Sequence, residues 1–259
     1  MMRGIYAVVV LDLKRFWLDK TRLVTGLLQP LLYLFVLGAG LGSSSQLGAK
    51  YQGFIFPGVL GLSMLFTATF AAISIVFDRQ IGFFKAVLVA PVPRPAIALG
   101  KIVAGGIQAA VQGLIVLPFA PLAGAPLGVW SVVELLGAMA LASLTFSAIG
   151  VAFASRFTSV TVFPIVSNAV LLPMFFLSGA LYPLTSAPTW MQVAAHADPV
   201  AYAVDLMRGA LLGEFFFSPW LSVAVLAGVI AALTGSAVKV FNRGEDDSSL
   251  GASRFNWKR

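Results

Sequence analysis

The residues of this chain that could do chemistry are few, and they gather in two stretches. One is Asp78 to Lys101, DRQIGFFKAVLVAPVPRPAIALGK, with Arg79, Lys85, Arg94 and Lys101 and the prolines Pro91, Pro93 and Pro95. The other is Gly179 to Pro219, where Pro183, Pro188, Asp198, Pro199, Asp205, Arg208 and Glu214 interrupt apolar pieces. Neither has the make-up of an enzyme site. The chain has no cysteine, which excludes disulfides, thiolate metal sites and cysteine nucleophiles. Its single histidine, His196, excludes multi-histidine metal sites, and no spacing pairs it with a serine nucleophile. Gly100-Lys101 resembles the end of a phosphate-binding loop. However, Ile102 follows where a serine or threonine is needed, and no glycine stands five residues before Gly100. What the first stretch could do is recognise a protein surface with cations and aromatic rings.

The elements around it are those of a membrane protein. The chain is 59% hydrophobic and 10% charged, with mean hydropathy +0.94, where a soluble domain carries roughly 25% charged residues. A net charge of +7 does not point to nucleic acid, because the cations cluster at the ends of apolar runs. The first residues carry charge on both sides of a short apolar run with no small-residue cleavage site after it, so no cleavable leader is expected.

Six spans are predicted, at residues Leu23 to Leu41, Phe54 to Phe77, Ile97 to Ala120, Trp130 to Phe153, Val160 to Leu177 and Trp220 to Phe241. Gln29-Pro30 predicts a kink in the first. Gly105, Gly106 and Gly113 offer the third a small face for close packing. In residues 3 to 22, Asp12, Arg15, Asp19 and Arg22 fall on one helical face with signs that pair, and Trp17 suits the headgroup level. This predicts an interfacial helix lying on the membrane. In the organising stretch, Asp78 is a helix N-cap candidate. Ile81, Phe84 and Leu88 make one apolar stripe, Pro91 stops the helix and Pro95 opens the next. Two readings stand for it: a solvated connector, or a helix that docks a soluble partner through Phe83 or Phe84. Gly179 to Pro219 predicts two short helices, near Thr189 to His196 and Val200 to Leu212, dipping into or lying on the outer surface. Asn242 to Arg259 is a polar tail.

Fifteen of the seventeen cations fall on one side of this arrangement, leaving Lys50 and Arg208 on the other. The positive-inside rule then places both termini and the 78–101 loop in the cytoplasm. Apart from Lys101 and Lys239 near the cytoplasmic ends, the charged residue within the predicted spans is Glu134, about a turn from the outer end, where it can reach water or serve as a functional intramembrane carboxylate. Mid-membrane charges of the kind ion-coupled carriers use are missing, and no clear inverted repeat is present. A chain of this kind that pumps must draw its energy from another chain.

The 78–101 stretch resembles the cytoplasmic loop of the ABC type-2 transporter permeases, the group that includes drug-resistance and lipo-oligosaccharide exporters. FLSGALYPLTSAPTWMQVAAHADPVAYAVDLMRGALLG resembles the outer signature before that family's last span, and FIFPGVLGLSML fits its second span. The resemblance covers essentially the whole chain. It implies an all-α membrane domain of six spans with an amino-terminal elbow helix at 3–22 and outer helices at 179–219. It implies a half-transporter that pairs with a second permease, identical or different. It also implies docking on a separate ATPase subunit that binds ATP and Mg, with no cofactor on this chain. The docking helix would be Asp78 to Leu88, with Asp78, Arg79, Phe83, Phe84, Lys85 and Leu88 as contacts. The outer gate would use Tyr182, Trp190, Asp198, Tyr202, Asp205 and Arg208. For Asp205 and Arg208, at i and i+3, an exposed ion pair is the simpler expectation. The chain departs from the family pattern at Gln80 and Ala86, where acidic residues are frequent, and at Asp198-Pro199, where Asn-Pro is common. The expected cargo is a hydrophobic or amphipathic compound, with a lipid-linked glycan as the alternative. An ion-coupled carrier or passive scaffold is the alternative of a different class. Tyr182, Trp190, Tyr202, Phe215, Phe216, Phe217 and Trp220 supply outer rings, as sugar platforms or as an ordinary interface belt.

Overall fold

The structure is a computed structural model that describes residues 1–42, 50–80, 93–125 and 127–243. Among them all regular structure is helical. Helix α1 is Met2–Leu18 and α2 is Lys20–Leu32. A π-helical turn, Tyr33–Leu37, and α3, Gly38–Gly42, continue the first apolar segment. Then come α4 (Tyr51–Ala71), α5 (Ile73–Gln80), α6 (Arg94–Val116), α7 (Val129–Ala154), α8 (Val162–Leu177), α9 (Thr189–Ala197), α10 (Pro199–Leu212) and α11 (Pro219–Arg243). The predicted docking segment from Ile81 through Phe83, Phe84, Lys85 and Leu88 lies outside the described residues. So does the tail beyond residue 243.

Among the described residues, four helical stretches are long and apolar enough to cross a bilayer: Tyr51–Gln80, Pro95–Phe119, Val129–Ala154 and Pro219–Val240. The expected first and fifth spans correspond to shorter apolar helices, Val24–Gly40 and Val162–Leu177. At 1.5 Å per residue these reach about 25 Å, short of a hydrocarbon core of about 30 Å. The first carries the irregularity that Pro30 predicts. Proline lacks an amide hydrogen, and three residues later the helix widens into the π turn.

The core is built on α4, α6, α7 and α10. Phe56, Leu60, Met64 and Leu65 of α4 and Phe146 of α7 are fully buried. Where helices approach, glycine is the reason they can. A Cβ at Gly150 of α7 would stand 2.7 Å from Thr69 Cα of α4, and one at Gly105 of α6 would stand 2.5 Å from Ser147 Oγ of α7. Between helices in lipid the attraction is close packing and hydrogen bonding, so removing side chains at the crossing is what lets backbones meet. Ser147 uses that proximity to donate to Ile102 O at 2.8 Å.

The outer helices appear at 189–197 and 199–212, close to where the prolines place them, and of the two placements expected for them α10 takes the buried one and not the surface one. Every residue from Val200 to Leu211 is buried, against α4, α7 and α11. The amino-terminal helix ends at Leu18, not at residue 22, because Asp19 leaves the helical conformation (φ −87°, ψ 74°). Its charged face is split: Asp12 is buried, while Arg15 and Asp19 are exposed along with Tyr6, Val10, Leu11, Trp17 and Leu18. Such a helix presents apolar side chains to lipid and keeps its carboxylate for the bundle.

Candidate coupling junction and outer segment

The second long span is interrupted at Ala72, a single turn residue between α4 and α5. The eight residues of α5 lead out of the bundle toward residue 80, and α6 brings the chain back at Arg94. Pro93 is the N-cap of α6 and Pro95 lies in its first turn, where a missing amide hydrogen costs nothing. Asp78 therefore sits near the end of α5. Lys101 belongs to the third turn of α6 and is not a loop cation.

These two residues meet at a buried ionic junction. Lys101 Nζ donates to Asp12 Oδ1 at 3.0 Å, to Ser74 Oγ at 2.9 Å and to Asp78 Oδ2 at 3.4 Å. The Lys101 and Asp12 side chains are each 7% exposed. Arg15, on the turn after Asp12, stands 4.0 Å from Asp12 and 3.9 Å from Asp78. Two carboxylates thus face two cations. The ammonium has three partners for its three protons, the condition under which a buried charge is tolerated. Gly100 makes the approach possible, since a Cβ there would stand 2.9 Å from Val8 Cβ of α1. Arg79, the neighbour of Asp78, donates to Ser155 O at the carboxyl end of α7, where unsatisfied helix carbonyls attract a cation. By these contacts α5 is fastened to α1, α6 and α7 at once.

At the opposite end, Asp205 and Arg208 are buried, 2% and 5% exposed, so the exposed pair expected from their spacing is not what forms. Each holds backbone instead. The Asp205 carboxylate accepts from Phe216 N at 2.9 Å and Phe217 N at 3.0 Å, pinning the turn after α10. Arg208 donates to Gly179 O at 2.8 Å, with its guanidinium 4.2 Å from the centre of the Phe54 ring. The positive φ of Gly179, 73°, lets that carbonyl turn inward. Asp198 caps α10 by accepting from Val200 N at 2.9 Å. Burial pushes its carboxyl up to about 7. The Tyr202 hydroxyl donates to His196 O at 2.9 Å, and its ring stacks on Phe217 at 4.2 Å. The Tyr182 hydroxyl donates to Phe176 O at 2.7 Å. Trp190 is 64% exposed on α9, and Glu134 is exposed near the start of α7.

Of the predicted site residues, the structure brings Asp78 together with Lys101. It gathers Asp198, Tyr202, Asp205 and Arg208 around α10, while Trp190 stands apart. Sequence reasoning missed the part of Asp12 and Lys101. The available signal was a charge in the third turn of a span whose neighbouring residues are apolar.

A multi-helix membrane bundle with ionic contacts at the root of one loop, and a buried helix before its last span, defines a transport permease domain. The ABC-2 type transporter family model matches residues 3–212, and the chain belongs to that family. It is 32% identical over 195 residues to nodulation protein J of Rhizobium leguminosarum bv. trifolii, covering 73% of each chain. It is 32% identical over 215 residues to nodulation protein J of Rhizobium meliloti, covering 79% of this chain and 78% of that one. It is 28% identical over 218 residues to the inner membrane transport permease YadH of Escherichia coli, covering 82% of this chain and 83% of that one.

Proposed function

We propose that this chain is the membrane-spanning subunit of an ATP-driven exporter. It moves a hydrophobic or amphipathic compound out of the cytoplasm or the inner leaflet, crosses the cytoplasmic membrane six times and keeps both termini inside. The observation that carries the reading is the junction of Asp12, Lys101 and Asp78. A force applied to the chain between Gln80 and Arg94 reaches α1, α5 and α6 together through it. That is the arrangement needed if the energy comes from outside the membrane domain. In this reading ATP and Mg bind a separate ATPase subunit. A second permease, identical or different, completes the transporter. The ATPase docks on Asp78, Arg79, Phe83, Phe84, Lys85 and Leu88. Tyr182, Trp190, Asp198, Tyr202, Asp205 and Arg208 belong to the outer gate. The charge asymmetry of the sequence supports the orientation, and the name of the Escherichia coli relative supports the inner membrane.

The lipid-linked glycan alternative needs free aromatic platforms at the exit. Tyr202 and Phe217 are stacked on each other and buried, which leaves Trp130, Trp190 and Trp220 as the exposed outer indoles. This favours the small amphiphile.

The test is co-purification with the ATPase, followed by transport in vesicles. ATP, and not an ion gradient, should drive uptake into inverted vesicles. Phe83→Ala should weaken capture of the ATPase about thirtyfold, the effect of truncating an aromatic anchor worth about 2 kcal/mol. Transport driven by an ion gradient without ATPase would establish the carrier instead. Unchanged capture by Phe83→Ala, Phe84→Ala and the double variant would make the loop a connector.

A further inference from the structure

A cleft of about 440 Å³ opens between α2 and the basic-end half of the second long span. That volume lies in the range that holds a drug-sized ligand. Its wall is of two kinds. Phe66 and Phe70, one helical turn apart, stack with ring centres 5.7 Å apart, and Pro30, Leu62 and Ile73 extend this apolar side. The polar lining is Thr25 and Gln29 of α2 and Ser63 and Thr67 of α4, with Asp19 at one end. From Asp19 to Gln29 the cleft runs about 15 Å along the helix, from the membrane surface to near mid-span.

Two polar atoms at this cleft are left over by the fold. Ser63 is 3% exposed and lines the cleft, and its hydroxyl has no hydrogen-bond partner among the described residues. Gln112 of α6, 1% exposed, lies behind Gly26 of the cleft wall. Its Nε2 would be 3.3 Å from a Cβ at Gly26, and it too lacks a partner among the described residues. A buried polar group without a partner is costly, and a native fold keeps few of them. Gln29 is exposed within an apolar helix, where hydrocarbon would leave its amide unsatisfied as well. Hydroxyl and amide groups ask for a hydroxyl-bearing or amide-bearing ligand. A phosphate or sulfate head would find no lysine or arginine among the described lining residues, and would meet the Asp19 carboxylate.

We propose that this cleft binds an amphiphile with an uncharged, hydroxyl-bearing head. The head sits on Ser63 and Gln29, and the chain lies against Phe66 and Phe70. The proposal rests on the exporter reading only in making that amphiphile cargo; binding needs no ATPase.

The experiment uses the full chain in phosphatidylcholine nanodiscs and a decyl glucoside carrying a diazirine in its chain. Light should attach the probe to peptides of α2 and α4. Decyl glucoside should compete, and decyl phosphate or decyltrimethylammonium should need about tenfold more. Ser63→Ala and Gln29→Leu should each lower this labelling about fivefold, the effect of one lost neutral hydrogen bond, with labelling elsewhere unchanged. Three results would each overturn the proposal: equal competition by either charged amphiphile, parental labelling of both variants, or no labelling of the cleft while Gln29→Cys cross-links two copies. The last would assign the cleft to a second permease. Labelling without ATP-driven export would refute the exporter reading and leave the site. Export without labelling would do the reverse.

Discussion

Lys101 and Asp12, 89 residues apart in sequence, meet at 3.0 Å inside the bundle with each side chain 7% exposed. A charge pair so deep is held by its whole set of partners. The balance of Asp12, Asp78, Lys101 and Arg15 sets what a change to any one of them does.

Lys101→Met leaves two carboxylates facing each other with, among the described residues, Arg15 alone, itself half exposed, to answer them. It should cost about 3 kcal/mol, in the range for breaking a buried pair. Adding Asp12→Asn and Asp78→Asn removes the uncompensated charge and should restore most of that loss, because apolar or neutral replacements of whole ionic clusters are tolerated. Thermal unfolding in detergent of the single and triple variants reads this directly. If the triple variant is as unstable as the single, the cost is packing and not charge.

Asp205 should behave as a clasp on the backbone. Asp205→Asn keeps one acceptor for the two amide hydrogens of Phe216 and Phe217, and Asp205→Ala keeps none. The expected losses are about 1 and 2–3 kcal/mol in that order. Unfolding midpoints and expression level together check the ranking. Equal losses would mean that the carboxylate does not hold the turn.

Asp198 predicts a pH effect in the outer segment. Its folded carboxyl is raised from 3.8 to about 7 by burial. The folded state therefore holds a proton that the unfolded chain releases, and stability should fall as pH rises between about 4 and 7. Asp198→Asn keeps an oxygen for Val200 N and carries no charge to desolvate. It should flatten this slope and be the more stable form at pH 8. Melting curves at pH 5 and pH 8 for parent and variant decide it; parallel shifts would reject the assignment.

Topology can be checked at exposed positions. Leu122→Cys and Ser186→Cys should react with an impermeant thiol reagent added outside intact cells, and Thr158→Cys should react only after permeabilisation. Ser155, one turn earlier, is 2% exposed and would stay silent on either side. Outside labelling of Thr158→Cys would overturn the six-span orientation.

The sequence by itself determined that this is an all-helical membrane protein, because apolar runs near 20 residues and charges confined to their ends permit little else. It also placed the short helices around 189–197 and 199–212 and the helix opening at Pro93-Arg94-Pro95. Proline and N-cap chemistry act on the backbone locally, so they can be read without neighbours. The family was legible for the same reason: its motifs are continuous in the chain. Which helix faces which was decided only by the tertiary structure. Periodicity showed Asp12 and Arg15 on one face of α1 with signs that pair, as they do at 4.0 Å, but gave no partner on another helix. An outward charged face was the natural reading for an interfacial helix. Among its described charges Asp12 alone turns inward, because Lys101, buried in α6, needs a carboxylate, while Arg15 and Asp19 stay exposed. The i, i+3 spacing of Asp205 and Arg208 likewise suggested a surface pair. Burying α10 removed the water that would have screened them, and each charge turned to the backbone groups within its reach.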